Sequence, residues 1–536
     1  MPHLTGAQAV IASLRAHGVD TIFGIPGVHT LSLYDAMRDE TGLRHILARH
    51  EQGAGFMADG YARLSGRAGV ACTITGPGVT NIATPVANAY ADSLPLLVIS
   101  SSLPRASTGR PQGKLHEVKD QLGMMEALAG WTRAVEFVEE IPTALCDAFR
   151  VMRSGRPRAA YLQIPLDLFP VEADIEIQAP AAVTPVRPAA KDINAVVSLL
   201  RESQRPLIVA GAGVTSAGAN EQLARLAELL QAPVLLGSKS HDVLPTDHPL
   251  VVATTSYTVP KELYALVKES DAAIVVGSKL GAVRTGNGTL PLPAALAQID
   301  IDPAEIGRNY PAAVGIVADA RLTLDSLLEA LHDLPGEHPS RANEVALVRE
   351  AAHKQTRRVF GPSIDMLDAV REATPREGVI VADMTMLGYA SAEYLPIYEP
   401  RTYIHPTELC SIGCGLPIAL GARAAAPERP VIALCGDGGF LLNVGELATA
   451  VQEKLDTIIV IFNDATYTAV KNRQQERFDG RYIATDLLAP DYVALARAFG
   501  AEGVHANGPD ELRYAISSAI RRTGTTLIEV PLPPQK

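Results

Sequence analysis

The chain has 536 residues, and 47% of them are hydrophobic. At roughly 100–200 residues per domain, this length predicts about three domains, each large enough to bury its own core. The formal net charge of −12 argues against a protein that binds nucleic acid or an anionic membrane surface. No apolar run approaches the ~18 residues of a membrane-spanning helix, and no basic stretch with an apolar core opens the chain.

The cysteines indicate a reducing compartment. They form no CxxC pair and lack the dense spacing of a disulfide-rich domain. Their number is odd, and they lie mostly in apolar segments, at Cys72, Cys146, Cys410, Cys414 and Cys435. We therefore expect a globular protein of the cytoplasm.

The first hundred residues alternate between helical and strand-like stretches. Thr5 and Gln8 have the spacing of a capping box, and apolar residues recur after them at helical intervals. A short apolar strand at 21–23 breaks at a Gly-Ile-Pro-Gly turn. Further strands are predicted at 69–75 and 96–100, on either side of a Gly-Pro-Gly turn and a helix of small residues. Such alternation is typical of α/β architecture with a parallel sheet.

Two segments are typical of linkers. Residues 171–191 are rich in Pro and Ala without a helical period, and residues 334–341 are polar and carry two prolines. Division at these segments predicts an N-terminal domain at 1–175, a central Rossmann-like domain at 190–335 and a C-terminal domain at 350–536. The predicted fold class is α/β, with three domains that each hold a mostly parallel sheet flanked by helices.

The strongest chemical signal is a buried strand that runs directly into a glycine-rich turn and a helix. The turn is Gly436-Asp437-Gly438-Gly439. Free backbone N–H groups at a helix N-terminus suit a phosphate, and Asp437 would hold a divalent cation that bridges the phosphates. The alternative is a tight turn without a ligand.

A second strand is predicted at 457–462, and it ends at Asn463-Asp464, 27 residues after Asp437. This spacing corresponds to about one helix plus one strand. Both acids therefore reach the same carboxyl edge of a parallel sheet, where ligands of open α/β folds bind. Because Mg²⁺ prefers oxygen ligands that include substrate phosphates, the pair predicts a magnesium site.

These motifs resemble the signature of thiamine-diphosphate-dependent enzymes, which implies the thiamine-diphosphate-binding fold. The segments 23–27 (FGIPG), 49–54 (RHEQGA) and 75–81 (TGPGVTN) are similar to the pyrimidine-binding domain of that family. The resemblance covers nearly the whole chain, and the segments 155–157 and 299–306 fall in register with the acetolactate synthase-like branch. The overall pattern also resembles 5-guanidino-2-oxopentanoate decarboxylases and, locally, benzaldehyde lyase.

The resemblance implies roles at the pyrimidine end of the cofactor. Glu51 matches the acid that hydrogen-bonds N1′ of the aminopyrimidine, so that the 4′-amino group can take the C2 proton of the thiazolium. The alternative for Glu51 is a helix N-terminal glutamate favoured by the macrodipole. Ile412 matches the bulky residue that forces the bent cofactor conformation, although it could instead pack in a core. Cys410 stands where relatives usually have a Gly whose carbonyl accepts from the 4′-amino group.

The resemblance also implies roles at the diphosphate end. Thr385 and Met386 match a loop that helps to hold the diphosphate beside the glycines of the turn, although core packing is an alternative for Met386. The metal ligands would be the carboxylates of Asp437 and Asp464 and the backbone carbonyl of Thr466. Many relatives have Asn where Asp464 stands, so this site carries an extra negative charge.

Two histidines are candidates for proton transfer. His29 lies two residues after Gly27, where benzaldehyde lyase also has a histidine, and His116 stands where acetolactate synthases usually have Gln. The unperturbed histidine pKa of ~6.5 suits proton transfer at neutral pH, although either ring could simply hydrogen-bond its loop. No two histidines are adjacent in the chain, which argues against a pyruvate decarboxylase.

We therefore expect a non-oxidative, thiamine-diphosphate- and Mg²⁺-dependent decarboxylation of a 2-oxo acid through an enamine. The candidate substrate is 5-guanidino-2-oxopentanoate. Its guanidinium could pair with Glu117, Asp120 or Glu408, and the alternative is that these acids are solvated surface groups. One alternative is an acetolactate synthase or related carboligase that takes an aldehyde or a second 2-oxo acid as acceptor. Another is a non-catalytic cofactor-binding subunit, which the presence of Glu51 disfavours.

The resemblance also bears on FAD and on assembly. The central domain of acetolactate synthases binds FAD, but residues 254–260 and 277–281 depart from the flavin-contacting pattern. FAD is therefore an alternative that the sequence does not favour. In this family the two half-sites meet across subunits, which implies a homodimer or homotetramer with Glu51 of one chain facing Asp437 of another.

Overall fold

The computed structural model describes residues 1–107, 109–255, 259–333 and 338–533. These residues form three α/β units, and each unit is built on a six-stranded sheet in which all neighbouring strands are parallel. The predicted fold class is therefore confirmed. Positions 256–258 of the segment compared with flavin contacts, and 334–337 of the second predicted linker, lie outside the described residues. No helix in the described part of the chain is long and apolar enough to cross a membrane.

The N-terminal unit has the strand order β3-β2-β4-β5-β7-β6, and β1 pairs with β8 in a separate antiparallel sheet. The strands are β1 (His3–Thr5), β2 (Thr21–Gly24), β3 (Arg44–Leu47), β4 (Gly69–Thr73), β5 (Leu96–Ser102), β6 (Trp131–Ala134), β7 (Ala160–Pro165) and β8 (Glu172–Asp174). The helices are α1 (Gly6–Ala16), α2 (Leu31–Arg38), α3 (Glu51–Ser65), α4 (Pro77–Asp92), α5 (Gln121–Glu126) and α6 (Ile141–Arg153).

Two local predictions can be compared with this unit. The capping box forms, with the Gln8 N–H donating to the Thr5 hydroxyl over 3.2 Å and the Thr5 N–H donating to Gln8 over 2.9 Å. The predicted linker at 171–191 was wrong at its start, where Glu172–Asp174 pairs with the first strand of the chain. The alternating pattern of that stretch was a strand signal.

The central unit has the strand order β11-β10-β9-β12-β13-β14. Its strands are β9 (Pro206–Ala210), β10 (Val234–Gly237), β11 (Val251–Thr255), β12 (Ala272–Val276), β13 (Ala295–Asp300) and β14 (Val314–Val317). Its helices are α7 (Ala190–Glu202), α8 (Gly213–Ser216), α9 (Asn220–Leu230), α10 (Lys261–Lys268) and α11 (Ala320–Ala330).

The C-terminal unit has the strand order β16-β15-β17-β18-β20-β19. Its strands are β15 (Val379–Ala382), β16 (Tyr403–Ile404), β17 (Val431–Gly436), β18 (Ile458–Asn463), β19 (Glu502–His505) and β20 (Thr526–Pro531). Its helices are α12 (Ala342–Phe360), α13 (Asp365–Ala373), α14 (Met386–Tyr394), α15 (Gly415–Ala425), α16 (Asp437–Leu442), α17 (Glu446–Gln452), α18 (Thr468–Phe478), α19 (Tyr492–Ala498) and α20 (Pro509–Ile520).

The glycine-rich turn lies at the carboxyl edge of the C-terminal sheet, as predicted. Gly436 and Phe462 are register partners at the ends of the paired strands β17 and β18, so Asp437 and Asp464 follow neighbouring strands. The single helix predicted after the turn is instead two short helices, α16 and α17. The break lies at Asn443, whose side-chain amide turns away to donate to the Gly413 carbonyl over 2.8 Å.

The N- and C-terminal units share one hydrophobic core, in which the backbones of α3 and α15 come into contact. A Cβ on Gly60 would overlap the Ile418 carbonyl, and a Cβ on Gly421 would overlap the Met57 carbonyl. Only glycine allows two helices to approach this closely. The residue that begins α3, Glu51, is therefore held at a fixed position relative to the C-terminal unit.

We predict that Gly421→Ala destabilises the protein by about 1–3 kcal/mol, because the new methyl group must push the two helix backbones apart. The fluorescence of Trp131, the single tryptophan of the chain, provides the denaturation curve. The matched control is Gly445→Ala, because Gly445 has helical φ and ψ and its Cβ would lie an ordinary 3.6 Å from the Arg49 side chain. Equal unfolding midpoints for the two variants would contradict the close helix contact.

Candidate active site

The glycine-rich turn of the C-terminal unit presents a buried carboxylate with an unused oxygen. Asp437 is the first residue of α16 and is only 4% exposed. Its Oδ2 is buried and has no hydrogen-bond partner among the described residues. A Cβ on Gly438 would overlap the Tyr467 ring, so this position requires glycine. A buried, unpartnered carboxylate oxygen fits a cation that the chain itself does not supply.

The second acid of the turn lies close enough to act on the first. Burial raises the pKa of Asp437 to about 6, and the charge of Asp464 raises that pKa as well. The hydroxyl of Thr468 donates a hydrogen bond to Asp464. Burial raises the pKa of Asp464 as well. The Thr466 hydroxyl donates a hydrogen bond to the Thr485 carbonyl over 2.8 Å. The backbone carbonyl of Thr466 is the third candidate ligand for a metal ion.

These donors suit Mg²⁺ only in the presence of phosphate oxygens. Within the described ranges, no group of three or more His, Cys, Asp or Glu side chains could hold a metal ion. Two carboxylates and a carbonyl leave about half of a six-oxygen shell open, which phosphate and water oxygens can complete. The chemistry of the donor set therefore fits the predicted magnesium and diphosphate pair.

The loop before α14 borders the same turn. Thr385 precedes the first residue of α14, and its hydroxyl would lie 3.0 Å from a Cβ on Gly436. The Thr385 side chain makes no capping hydrogen bond to its own helix. The Met386 side chain is partly buried and packs against the core of the C-terminal unit. This is the core-packing alternative for Met386.

Asp383 is the first residue of this loop and links it to the segment that carries Ile412. It lies directly after β15 and is 1% exposed. Its Oδ1 accepts from the Met384 N–H over 2.7 Å and from the Gly413 N–H over 3.0 Å. Burial raises the pKa of Asp383. This carboxyl holds the turn after Ile412 beside the glycine-rich turn.

Ile412 and Cys410 occupy the surface next to the turn. Ile412 is 38% exposed, so it is no core residue, and its Cγ1 would lie 3.3 Å from a Cβ on Gly439. Cys410 has a φ of +55°, a conformation that only glycine adopts freely. This backbone geometry explains why the resemblance leads one to expect Gly at that position.

Glu51, His29 and His116 lie in the N-terminal unit, and two of them flank the turn at Gly76-Pro77-Gly78. Glu51 is partly buried at the start of α3 and accepts from the side-chain amide of Asn81 over 2.9 Å. One of its carboxylate oxygens would lie 3.4 Å from a Cβ on Gly78, whereas a Cβ on Gly76 would overlap the His116 carbonyl. Asn81 belongs to the TGPGVTN segment, although that motif alone did not reveal its contact.

The two histidines form a pair. The ring centroids of His29 and His116 are 5.0 Å apart in an edge-to-face arrangement. The Nδ1 atoms of both rings are buried and have no hydrogen-bond partner among the described residues. Burial lowers the pKa of His29, and the nearby His116 lowers it further. His116 itself has a φ of +64°, so its position is held by the surrounding structure at some cost in strain.

Comparison with known proteins identifies the family. Three family models of the thiamine pyrophosphate enzymes match in chain order: the N-terminal TPP binding domain over 4–124, the central domain over 193–327 and the C-terminal TPP binding domain over 383–530. The chain belongs to the thiamine pyrophosphate enzyme family.

Curated relatives of this thiamine pyrophosphate enzyme match nearly end to end. A probable 2-ketoarginine decarboxylase of Pseudomonas aeruginosa is 38% identical, with 98% of this chain and 94% of the relative covered. A probable acetolactate synthase large subunit of Methanocaldococcus jannaschii is 34% identical, with 99% of this chain and 92% of the relative covered. The acetolactate synthase isozyme 1 large subunit of Escherichia coli is 31% identical, with 98% of this chain and 93% of the relative covered. The similarity to decarboxylase-like and acetolactate synthase-like members is thus confirmed.

The three acids predicted as partners of a guanidinium are already engaged in this thiamine pyrophosphate enzyme. Glu117 accepts from the backbone N–H groups of two residues in its own loop. Asp120 caps the N-terminus of α5. Glu408 forms an ion pair of 2.8 Å with Lys279 of the central unit. Each of these carboxylates therefore has a structural role in the chain as described.

A cavity of about 1120 Å³ lies between the three units of the enzyme. It opens at the carboxyl edge of the central sheet, where Gly211 and Gly277 follow the adjacent strands β9 and β12. The buried guanidinium of Arg284 projects to this edge and donates to the carbonyls of Ala210 and Leu235 over 3.1 and 2.7 Å. If the central domain bound FAD, this cavity is where the cofactor would lie.

Proposed function

We propose that this enzyme decarboxylates a 2-oxo acid non-oxidatively, with thiamine diphosphate and Mg²⁺. Thiamine diphosphate supplies, when bound, a nucleophilic carbon and a sink for the electrons released with CO₂. The observation that carries the proposal is the pair His29 and His116, whose buried Nδ1 atoms have no hydrogen-bond partner among the described residues. The His116 backbone and the Glu51 carboxylate both border the turn at 76–78. A decarboxylase needs a proton to replace CO₂, and this pair can deliver it.

In this proposal Glu51 is the catalytic acid of the pyrimidine half-site. Its carboxyl would hydrogen-bond the ring nitrogen of the aminopyrimidine and would favour the tautomer that can accept a proton. The amide of Asn81 donates to one carboxylate oxygen and leaves the other for the cofactor. A carboxyl oriented by a second side chain loses less freedom when it acts, which favours proton transfer.

The diphosphate half-site consists of residues at the carboxyl edge of the C-terminal sheet. Asp437, Asp464 and the Thr466 carbonyl would hold Mg²⁺, and the N-terminus of α16 would receive the diphosphate together with Thr385. Ile412 would support the bent cofactor, and Cys410 would present its carbonyl to the 4′-amino group. The observation that supports the cation is Oδ2 of Asp437, which is buried and has no hydrogen-bond partner in the part of the chain that the structure describes.

The proposed substrate is 5-guanidino-2-oxopentanoate. The relative named a probable 2-ketoarginine decarboxylase supports this choice through 38% identity over nearly the whole chain. The alternative is an acetolactate synthase or related carboligase, which the relatives of 31% and 34% identity favour.

We predict CO₂ release and the matching aldehyde when the purified enzyme receives thiamine diphosphate, Mg²⁺ and 5-guanidino-2-oxopentanoate. Pyruvate, 2-oxobutanoate and uncharged 2-oxohexanoate serve as comparison substrates, and the products are separated by mass spectrometry. Acetolactate as the main product from pyruvate would favour the carboligase alternative. If no member of the panel is turned over while the cofactor is bound, the decarboxylase proposal is wrong.

We predict opposite effects of substitutions in the two half-sites. Glu51→Gln should retain cofactor binding and lose turnover by about 10²–10⁴-fold, because it removes the proton-transfer group and leaves the phosphate contacts. Asp437→Ala should weaken cofactor binding first, because the metal bridge is lost. Titration calorimetry and steady-state rates separate the two effects. Near-normal turnover in Glu51→Gln would exclude Glu51 as the catalytic acid.

We predict that His29→Ala lowers turnover by about 10²–10⁴-fold with little change in cofactor binding. His116→Gln should shift the ratio of released aldehyde to carboligated product. Because His116 helps to lower the pKa of His29, its removal should also raise that pKa. The limb of the pH–rate profile that reports His29 should therefore lie below pH 6.5 in the wild type and move upward in His116→Gln. Unchanged rates, product ratios and profiles would show that both rings are structural.

We also propose that the enzyme is a homodimer or homotetramer in which Glu51 of one subunit faces Asp437 of another. The apolar side chains around both half-sites support this arrangement, because they are widely exposed in the single chain: 62% for Val28, 63% for Leu115, 38% for Ile412 and 54% for Leu442. Light scattering at working concentration tests the assembly. An active monomer would refute it.

A further inference from the structure

We infer that Glu446 is a positioning residue for Glu51: a buried carboxylate of the C-terminal unit that fixes the backbone where α3 begins. The inference rests on the proposed role of Glu51. Glu446 lies at the start of α17 and is 1% exposed. Its Oε1 accepts from the Arg49 N–H over 3.1 Å and from the His50 N–H over 3.0 Å, and its Oε2 lies 3.2 Å from the Arg49 nitrogen.

These donors are the two residues that directly precede Glu51 in the chain. The first N–H groups of a helix have no partner within the helix, and a negative charge nearby is favourable. The His50 ring accepts from the Gln52 N–H over 3.0 Å and caps the helix locally. Glu446 therefore holds the chain just before α3, while His50 caps the helix itself.

The contact is tight on the remaining sides of the carboxylate. The Thr449 hydroxyl donates to Oε2 of Glu446 over 2.7 Å and also lies 3.1 Å from the Leu47 carbonyl. A Cβ on Gly53 would overlap Oε1, so only glycine at that position lets the carboxylate lie against α3. Burial raises the pKa of Glu446, which is the cost of placing a carboxyl here.

This arrangement links the two half-sites that one chain contributes, which in the proposed assembly belong to two different active sites. The helix α17 follows α16, whose first residue is Asp437, and the intervening Asn443 donates to the Gly413 carbonyl over 2.8 Å. A displacement of the α3 N-terminus would move Glu51 away from the cofactor that, in the proposed assembly, the partner subunit holds. A misplacement of about 1 Å can cost 10²-fold in rate.

The test measures exchange of the C2 proton of bound thiamine diphosphate for deuterium, by acid quench and NMR, at saturating cofactor and Mg²⁺. This step depends on Glu51 and requires no substrate. The rate is normalised to bound cofactor, so that a loss of stability or of cofactor affinity does not change it. The variants are Glu446→Ala, Glu446→Gln and Glu51→Gln.

The matched control is Glu453→Ala. Glu453 also lies in the C-terminal unit and also accepts a backbone N–H of the N-terminal unit, that of Leu47, over 3.3 Å. That contact lies at the end of β3 rather than at the start of α3. Its loss removes a similar contact between the two units without releasing the residues that precede Glu51.

We expect the exchange rate of Glu446→Ala to fall by about 10–10²-fold. Glu446→Gln should stay within threefold of the wild type, because its amide oxygen can still accept from the two backbone N–H groups. Glu453→Ala should match the wild type. An exchange rate of Glu446→Ala within twofold of the wild type, or Glu446→Gln as slow as Glu446→Ala, would overturn the inference.

Two further comparisons keep the test decisive. If Glu446→Ala does not fold, Glu446→Asp replaces it, because the shorter side chain cannot reach both N–H groups and should slow exchange. Wild-type exchange in Glu446→Asp would then overturn the inference. If Glu51→Gln exchanges like the wild type, the proposed role of Glu51 fails and this inference fails with it. If Glu51→Gln is slow and Glu446→Ala is not, only the inference fails.

Discussion

The close crossing of α3 and α15 is the constraint on which the rest of the structure depends. At this crossing, Gly60 and Gly421 bring the helix backbones into contact inside a core that the N- and C-terminal units share. Helices at this distance cannot slide or rotate without a steric clash. The crossing therefore fixes the position of Glu51, at the first turn of α3, relative to the C-terminal sheet.

The residues proposed to carry the chemistry of the enzyme lie at the carboxyl edges of two parallel sheets. In the N-terminal unit, the Glu51 carboxylate borders one end of the turn at 76–78 and the His116 backbone borders the other, and His29 packs against His116. In the C-terminal unit, Asp437 and Asp464 follow neighbouring strands. In a parallel sheet, the loops that follow the strands all lie at the carboxyl edge, so residues distant in sequence come close together there.

Local patterns predicted the parts of the fold that depend on local physics. The apolar run predicted at 457–462 forms a strand at Ile458–Asn463, and the capping box at Thr5 forms as expected. The glycine-rich turn was predictable because buried strands, glycines and acids carry their signal within a few residues. Helix breaks were less predictable, since Asn443 ends α16 through a contact with Gly413, 30 residues away.

Residues that act through distant contacts could not be found in the sequence. Glu446 meets Arg49, 397 positions away, and nothing in the segment around Glu446 distinguishes it from a surface glutamate at a helix start. Asp383 similarly holds Gly413, 30 positions away. The positive φ of Cys410 follows from the turn around it rather than from its side chain. Such contacts depend on how whole sheets pack, which periodicity does not encode.

A crystal structure of the enzyme with thiamine diphosphate and Mg²⁺ would test the central claim most directly. The diphosphate should lie at the N-terminus of α16, and Mg²⁺ should be bound by Asp437, Asp464 and the Thr466 carbonyl. A Glu51 carboxylate should lie about 2.6–3.2 Å from N1′ of the pyrimidine. A pyrimidine ring whose N1′ faces any other group, or a diphosphate bound away from this turn, would show that these residues do not form the active site.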